Sequence, residues 1–264
     1  MGYQNILLTI EDGVAAITLN TPENLNAMSH AMYVDLQHAL DLCREESGVR
    51  AVLLRANGKA FSGGGDIAEM MDKLDRNDFD TDVLCMDSLR IVQTLRTLPK
   101  PVVCAVHGAA AGSGSVIALS CDILLASENA KFYLPFVNIG LIPDASGMYT
   151  LTRVLGTSRA VAKAMMGGSF TAAEGVELGF VYQCSPAGAL AADAEAVVRK
   201  LAAGPAQAYA GLKRLAYISQ FTATSYEDYM QHEIAAQTKM GGTQDFREGI
   251  TAFLEKRPAA FRGT

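Results

Sequence analysis

The sequence has little positive charge for its size. Its 264 residues include 22 lysines and arginines against 28 aspartates and glutamates, which gives a formal net charge of −6. Nucleic acids and anionic membranes are bound through basic surfaces, so this balance argues against a general affinity for either of them. We expect any anionic ligand to be held by a local group of residues instead.

The sequence also lacks a pattern that would pair its cysteines. There are five, an odd number, with no Cys-x-x-Cys or histidine-partnered spacing: Cys43, Cys85, Cys104, Cys121 and Cys184. This predicts reduced core thiols in a cytoplasmic protein, with neither a disulfide framework nor a metal site. Glu11, Asp12 and Gly13 come before any apolar run, so we expect no signal peptide. The most apolar stretch, residues 108–127, contains Asp122 and is predicted to be buried core.

What the sequence does contain is a globular balance, with 50% hydrophobic and 19% charged residues. This suits one large α/β domain. Strand-like runs at 6–10 and 14–19 flank Asp12-Gly13 and predict a hairpin. The order strand, glycine loop, helix, strand then recurs at least twice, which is typical of βαβ-like units. After Ser185 only helical patterns remain, so we predict a core of residues 1–200 and a helical C-terminal region of residues 201–264.

Two glycine-rich loops follow predicted strands. The first glycine loop is Phe61-Ser-Gly-Gly-Gly-Asp66, and the second is His107-Gly-Ala-Ala-Ala-Gly-Ser-Gly-Ser115. Neither is a Walker A loop, and the second lacks the third glycine of a dinucleotide fingerprint. Each alone is explained equally well as a tight turn. Together, one backbone N–H from each loop can converge on a single ligand oxygen as an oxyanion hole.

Six motifs occur in order along nearly the whole chain: Asn24-Leu-Asn-Ala27, Phe61-Ser-Gly-Gly-Gly-Asp-Ile67, Pro101-Val-Val-Cys-Ala-Val-His-Gly108, Cys121-Asp-Ile123, Ile139-Gly-Leu-Ile-Pro-Asp144 and Arg247-Glu-Gly-Ile-Thr-Ala-Phe-Leu-Glu-Lys256. They resemble the motifs of the enoyl-CoA hydratase/isomerase (crotonase) family, and most of all its epoxyphenylacetyl-CoA isomerase-like members from the phenylacetate pathway. The resemblance implies an α/β fold, a crotonase-type spiral of ββα units. It also implies a C-terminal helical trimerisation region, giving a homotrimer or a dimer of trimers.

The resemblance further implies where an acyl-CoA thioester would bind, with coenzyme A as part of the substrate and no separate cofactor. The two oxyanion-hole N–H groups fall on Gly65 and Ser113. The CoA pocket falls on Leu25, Ala27, Gly63, Asp66 and Ile67, with Phe253 and Lys256 added by a neighbouring subunit. For these last two, the alternative from the residues alone is a core aromatic and a solvated charge.

The chain departs from the family's hydratase pattern at both acid/base positions. The two glutamates of the hydratases are replaced by Val116 and Phe136. Asp144 remains, at a position that holds the acting aspartate in some isomerase-like branches. The alternative for Asp144 is an N-cap at the start of the helical pattern that runs through Leu151.

One shuttling base suffices for a 1,3-proton shift, whereas hydration needs a group that activates water and a group that protonates carbon. We therefore expect an isomerase (double-bond or ring) that uses Asp144 as acid/base. Two alternatives stay open: an enoyl-CoA hydratase, and a non-catalytic acyl-CoA-binding protein.

Overall fold

The computed structural model describes residues 2–264, in which the first strand begins at Ile6 and the last helix ends at Glu255. The strands are β1 (Ile6–Glu11), β2 (Val14–Leu19), β3 (Ala51–Ala56), β4 (Val102–Val106), β5 (Ala109–Ala111), β6 (Ile123–Ser127), β7 (Lys131–Tyr133), β8 (Ser169–Thr171) and β9 (Gln183–Ser185). The helices are α1 (His30–Glu45), α2 (Ile67–Asp75), α3 (Thr81–Thr97), α4 (Ser113–Ala118), α5 (Gly147–Leu155), α6 (Thr157–Met165), α7 (Ala172–Glu177), α8 (Leu190–Ala202), α9 (Ala206–Phe221), α10 (Tyr226–Gly241) and α11 (Gln244–Glu255). No helix in this part of the chain is long and apolar enough to cross a membrane.

The main sheet has six strands in the order β1-β2-β3-β4-β6-β9. Strands β1 and β2 form an antiparallel hairpin with Glu11 opposite Val14, and every later pairing in this sheet is parallel. A second sheet of three short strands has the order β5-β7-β8. The chain alternates between the sheets, from β4 to β5 and from β6 to β7, with a helix after each strand pair or group. This alternation is the spiral of ββα units.

The inner strands of the main sheet, β2, β3, β4 and β6, are largely buried on both faces, and alternate residues serve two separate cores. Val52 and Leu54 of β3 lie in the larger core, which α1 and α3 cover. Ala51 and Leu53 point the other way and pack on α8 in a smaller core with Val198. The period of two in β3 therefore fixes which helix lies on which face of the sheet.

The C-terminal helices are fastened to the sheet by two basic side chains. Arg50 donates to the carbonyl oxygens of Ala202 at 2.5 Å and Gly204 at 2.7 Å, at the end of α8. The ammonium of Lys213 on α9 lies 2.6 Å from a carboxylate oxygen of Asp122, beside the start of β6. The region after residue 200 therefore makes polar contacts with the core, and further ones join Tyr149 and Arg153 to the carbonyl oxygen of Gln220.

Most of the elements expected from the sequence are present. The hairpin lies where it was predicted, and only helices follow β9. One prediction was wrong: residues 108–114 are not all loop, because β5 pairs with β7 inside this segment. Strands β7, β8 and β9 had not been predicted. Each is three residues long, too short to show an alternating pattern, and is recognised only through its partner strand.

Replacement of Arg50 by alanine tests the link between the end of α8 and the sheet. The change removes the donors to two helix-terminal carbonyl oxygens, so we expect the free energy of unfolding to fall by about 1–3 kcal/mol. Urea unfolding followed by circular dichroism measures this. Arg90→Ala on α3 is the control, because its exposed side chain makes no hydrogen bond within residues 2–264. Equal stability of both variants would contradict the link.

Candidate active site

The two glycine loops lie against each other through their backbones. The N–H of Ser62 donates to the carbonyl oxygen of Ala109 at 3.0 Å, and the N–H of Ala111 donates to that of Ser62 at 2.9 Å. A Cβ atom on Gly114 would lie 2.6 Å from the Cβ of Ser62. Gly64 has a φ of +92°, and a Cβ there would lie 2.9 Å from the carbonyl oxygen of Ala111. Glycine is required at these positions because any side chain would separate the loops.

This contact leaves the N–H groups of Gly65 and Ser113 without an acceptor in residues 2–264. Ser113 is the first residue of α4, so its N–H belongs to the unpaired first turn of a helix. Gly65 lies between Gly64, whose N–H donates to Ser62 Oγ at 3.2 Å, and Asp66, whose N–H donates to Met28 at 3.4 Å. The two N–H groups that the sequence identified therefore come from adjoining loops, and both are free to donate to a ligand.

The turn at residues 24–28 packs on the first glycine loop. The N–H of Gly63 donates to the carbonyl oxygen of Leu25 at 2.8 Å, and that of Met28 donates to Gly64 at 2.7 Å. Leu25 has a φ of +61° and is partly exposed, and Ile67 is largely exposed at the start of α2. The structure thus brings together all five residues of the expected CoA pocket within one chain: Leu25, Ala27, Gly63, Asp66 and Ile67.

The side chain of Asp66 has a structural role at the start of α2. Its carboxylate accepts the N–H of Glu69 at 3.0 Å and is the N-cap of α2. Glu69 in turn accepts the N–H of His30 at 3.0 Å, which joins α2 to α1. The helix that follows the first glycine loop is therefore fixed by side chains at its first turn.

Phe253 and Lys256 lie elsewhere in the single chain. Phe253 is 82% exposed on α11, in an apolar groove of about 550 Å³ formed with α9 and α10. Lys256 ends α11 in a left-handed conformation and is also exposed. The alternative of a core aromatic for Phe253 is wrong, because its ring is not buried. The contribution of both residues to a neighbour's pocket stays a prediction.

Asp144 is a mostly buried carboxylate beside the second glycine loop. Its Oδ1 atom has no hydrogen-bond partner within residues 2–264. Burial raises the pKa of Asp144 from 3.8 to about 6, and the neighbouring Ser88 hydroxyl opposes this rise. A carboxyl group with this pKa exchanges protons close to neutral pH, as an acid/base catalyst must.

The alternative that Asp144 is a helix N-cap is wrong. Helix α5 begins at Gly147, and the residue at its N-cap position is Ser146. Only the backbone of Asp144 takes part in this turn, where its carbonyl oxygen accepts the N–H of Gly147 at 2.5 Å. The side chain is therefore not used to start the helix.

Arg96 holds the segment that carries Asp144, and the sequence analysis did not identify it. This partly buried guanidinium of α3 donates to Ser146 Oγ at 3.1 Å, to Thr150 Oγ1 and to Ser120 Oγ at 3.3 Å. Ala145 and Ser146 both have positive φ values, 49° and 56°, which are unfavourable for residues with side chains. The hydrogen bonds of Arg96 stabilise this turn. A lone arginine within the apolar face of a helix was the signal available in the sequence.

The residues at the two positions where the family's hydratases have glutamates are apolar and buried. Val116 on α4 is fully buried, and its Cγ2 would lie 3.1 Å from a Cβ on Gly147. Phe136 is 8% exposed, and its ring edge would lie 3.7 Å from a Cβ on Gly112. These side chains fill the space around the second glycine loop without an ionisable group.

A cavity of about 280 Å³ lies next to the first glycine loop, between α1, α2 and α3. Its lining combines the apolar side chains of Met28, Met70 and Val83 with several ionisable ones, among them His30, whose Nδ1 lies 2.6 Å from Asp87 Oδ2. The cavity is therefore a candidate ligand site next to Asp66, the last residue of the first glycine loop.

Comparison with known proteins places this geometry in a family. The family model for enoyl-CoA hydratase/isomerase matches residues 9–264. The chain belongs to the enoyl-CoA hydratase/isomerase family, which confirms the resemblance drawn from the six motifs. Its fold is accordingly the crotonase fold expected from the sequence.

Relatives named for different activities cover nearly the whole chain. A trans-2-decenoyl-[acyl-carrier-protein] isomerase from Streptococcus mutans serotype c is 35% identical over 264 residues, which is 100% of both chains. A 1,2-epoxyphenylacetyl-CoA isomerase from Escherichia coli K12 is 36% identical over 98% of both chains. A solved enoyl-CoA hydratase from Polaromonas sp. JS666 has a TM-score of 0.91 at 29% identity, covering 97% of this chain and 99% of that one.

Gly114→Ala tests the contact between the two glycine loops. Helix propensity alone favours alanine by about 1 kcal/mol, but the new Cβ would overlap the side chain of Ser62, so we expect a net loss of about 1–3 kcal/mol. Gly211→Ala in α9 is the matched control, since a Cβ there meets nothing within 4 Å and should stabilise the protein. Thermal unfolding of both variants measures this, and a Gly114→Ala protein as stable as Gly211→Ala would contradict the contact.

Asp144→Asn tests the burial of the carboxylate. The folded-state pKa of about 6 exceeds the unperturbed 3.8, so the group's contribution to stability is full below pH 4 and is lost as pH rises through 6. The variant should therefore be more stable than its parent at pH 7.5, by up to about 3 kcal/mol, and equal to it near pH 4. Urea unfolding at both pH values and one protein concentration measures this.

Asp75→Asn, an exposed change at the end of α2, is the control and should alter stability at neither pH. A capping carboxylate gives a different result, because asparagine caps a helix about as well as aspartate. Asp144→Asn protein no more stable than its parent at pH 7.5 would show that the carboxylate is not held at an elevated pKa.

Proposed function

We propose that this chain is an isomerase of acyl-CoA thioesters that moves a double bond, or rearranges a ring, through an enolate. Asp144 acts as the single acid/base, and the N–H groups of Gly65 and Ser113 bind the thioester oxygen. The observation that carries the proposal is the buried Asp144 carboxylate beside two hydratase positions occupied by the apolar Val116 and Phe136.

The chemistry needs only one group that moves a proton. For a 3-enoyl thioester, ionised Asp144 removes a proton from C2, and the electron pair spreads over the carbonyl oxygen and C4 as a dienolate. The protonated carboxyl then returns the proton to C4, which leaves the double bond between C2 and C3. No water is consumed. A pKa of about 6 lets Asp144 be mostly ionised at neutral pH yet basic enough to accept the proton.

The two glycine loops would stabilise the negative charge on the dienolate oxygen. Donors fixed before reaction lower the barrier because they need no reorganisation as charge develops. Gly65 and Ser113 meet this requirement, since their N–H groups are unpaired and their loops are joined by backbone hydrogen bonds. The start of α4 adds the positive end of a helix dipole at Ser113.

The CoA part of the substrate would lie along Leu25, Ala27, Gly63, Asp66 and Ile67. We propose that Phe253 and Lys256 complete this pocket from a neighbouring subunit in a homotrimer or dimer of trimers. Support comes from α11, where Phe246, Ile250, Phe253 and Leu254 are all exposed large apolar side chains. A patch of this kind indicates an interface rather than a solvated surface.

Three other functions remain as outcomes of the same test. A hydratase would add water to 2-enoyl-CoA, and a non-catalytic protein would bind acyl-CoA without turnover. The third follows from the relative that is named an acyl-carrier-protein isomerase: the thioester carrier could be a protein instead of CoA. Each substrate should therefore be offered on both carriers.

The central assay compares 3-hexenoyl-CoA isomerisation with crotonyl-CoA hydration, each followed by the absorbance of the conjugated 2-enoyl thioester. We expect the wild type to isomerise much faster than it hydrates. Asp144→Asn should lower the isomerisation rate by ~10²–10⁴, the range for loss of an acid/base group, while acyl-CoA still binds. The wild-type kcat/KM should rise with pH and level off above about pH 6.

Asp75→Asn is again the matched control and should keep full activity. Rapid crotonyl-CoA hydration by the wild type would establish the hydratase instead. An Asp144→Asn enzyme as active as its parent would contradict the role of this carboxylate. Binding with no absorbance change on either carrier would establish a binding protein.

A further inference from the structure

A histidine–aspartate pair lies in the wall of the cavity next to the first glycine loop. Nδ1 of His30, at the start of α1, is 2.6 Å from Oδ2 of Asp87 on α3, and both residues line the cavity. The side chain of Asp87 is 12% exposed and that of His30 is 50% exposed. The second ring nitrogen of His30, Nε2, makes no hydrogen bond within residues 2–264. One nitrogen of the ring is therefore held by the protein, and the other is available to a ligand.

The position of His30 is fixed at its backbone as well as at its ring. Its N–H donates to Glu69 Oε2 at 3.0 Å, which joins the start of α1 to α2. The contact between α1 and α3 does not depend on the pair, because Gln37 donates to Thr94 at 3.0 Å and buried apolar side chains of both helices share the larger core. A role that only joins the helices therefore leaves the free nitrogen at the cavity unexplained.

The hydrogen bond to Asp87 determines what the free nitrogen can do. A carboxylate oxygen accepts hydrogen bonds, so Nδ1 is the nitrogen that carries the proton in this contact. In a neutral imidazole Nε2 then has no hydrogen and is an acceptor. A carboxylate fixes the tautomer of a histidine in the same way in catalytic triads and metal sites. The free nitrogen of His30 therefore suits a ligand group that donates a hydrogen bond.

The rest of the lining limits the ligand further. The apolar side chains of the cavity suit a hydrocarbon chain. The lining also has one lysine, Lys73, whose ammonium is already 2.9 Å from a carboxylate oxygen of Glu69. A carboxylate on the ligand would be repelled by the acidic side chains of the cavity. These number five: Asp66, Glu69, Asp78, Asp80 and Asp87. The ligand that fits is an apolar chain with a hydrogen-bond donor and no negative charge.

The cavity adjoins Gly65, whose N–H is one of the two proposed oxyanion donors. Met28 forms a parallel bridge with Gly65, and a Cβ on Gly65 would lie 2.6 Å from Cε of Met70. Met28 and Met70 both line the cavity. His30 follows Met28 by two residues, so its backbone lies within about 7 Å of Met28. The chain of a thioester bound at Gly65 can therefore enter the cavity.

We propose that His30, positioned by Asp87, recognises the acyl part of the substrate and selects chains that carry a hydroxyl or amino group. The inference rests on the proposed function, which places the thioester at Gly65, and it names the substrate class of that site. Nε2 of His30 accepts the hydrogen bond, and Asp87 acts through His30 as a positioning residue. A plain chain leaves Nε2 unpaired, and a site built for a polar group discriminates against the analogue that lacks it.

Equilibrium binding of saturated acyl-CoA thioesters tests this recognition separately from turnover. The probes are hexanoyl-, heptanoyl- and octanoyl-CoA, their counterparts with a hydroxyl on the last carbon, and adipoyl-CoA, which ends in a carboxylate. None has a double bond to move, so isothermal titration calorimetry measures affinity whether or not the protein is an isomerase. At the chain length that reaches His30, the hydroxylated probe should bind at least about tenfold more tightly than the plain one. Adipoyl-CoA should bind more weakly than hexanoyl-CoA.

His30→Phe keeps a ring but removes the acceptor, so the ratio of the hydroxylated to the plain affinity should fall close to one. Asp87→Asn should also lower the ratio, because an amide can donate to Nδ1 and leave the hydrogen on Nε2. A general loss of affinity cancels in this ratio, so a merely structural effect does not change it. His38→Phe, on the same helix but outside the lining of the cavity, is the control and should keep the wild-type ratio.

Chemical modification of the wild-type protein locates the ligand without any substitution, so it serves if His30→Phe does not fold. Diethyl pyrocarbonate acylates a free imidazole nitrogen, and mass spectrometry of the digested protein identifies each modified histidine. The hydroxylated probe that binds most tightly should protect His30. It should leave His232, an exposed residue of α10, as reactive as in the protein alone.

Several results would overturn the role of His30. These are equal binding of hydroxylated and plain probes at every chain length, a preference that survives in His30→Phe, and a His30 that stays reactive when the probe is bound. Adipoyl-CoA binding more tightly than hexanoyl-CoA would contradict the exclusion of carboxylates. An active isomerase with no preference among the probes would reject this inference alone. A preference that depends on His30 in a protein without isomerase activity would reject the proposed function alone.

Discussion

The site depends on one backbone contact, between Ser62 in the first glycine loop and the strand at residues 109–111 that begins the second. Hydrogen bonds of 3.0 and 2.9 Å across this contact keep the loops at a fixed separation. Because the N–H groups of Gly65 and Ser113 have no acceptor within residues 2–264, both are available to one ligand oxygen. The glycines at 64 and 114 allow the approach, and the parallel strands before each loop set its position.

A second constraint is the cost of keeping Asp144 buried. Burial raises its pKa to about 6, so the ionised form works against the folded state at neutral pH. The turn that carries it contains two residues with positive φ, and Arg96 stabilises that turn through three hydroxyl groups. An unfavourable buried carboxylate in a turn stabilised by a partly buried arginine is the pattern expected of a candidate functional group.

The sequence was informative wherever a local pattern sufficed. The hairpin, the alternation of β3 and the two glycine loops follow from turn residues, period-two burial and strand order. It was uninformative where the outcome depends on distant partners. Strands β7 to β9 exist only through their pairings, and the N-cap alternative for Asp144 failed because the positive φ of Ala145 and Ser146 delays the helix to Gly147.

The surroundings of the candidate acid/base Asp144 also could not be predicted from the sequence, because they depend on distant segments. A sequence gives the identity of Asp144 but not its burial, which depends on packing against distant residues such as Ser88 of α3. Likewise, Tyr33 reads as one more apolar position on the core face of α1, and its unpaired hydroxyl becomes evident only in three dimensions. In the sequence, Arg96 is only one charged residue near the end of a predicted helix. In the fold, its guanidinium donates to Ser146 Oγ and so stabilises the turn that carries Asp144.

The central claim is that the two glycine loops hold one thioester oxygen and present the acyl chain to Asp144. A crystal structure of the protein with bound hexanoyl-CoA tests this most directly. We expect the thioester oxygen to lie about 2.7–3.1 Å from the backbone nitrogen atoms of both Gly65 and Ser113, with C2 and C4 near the carboxylate of Asp144. A thioester oxygen paired with neither nitrogen, or an acyl chain directed away from Asp144, would contradict the account.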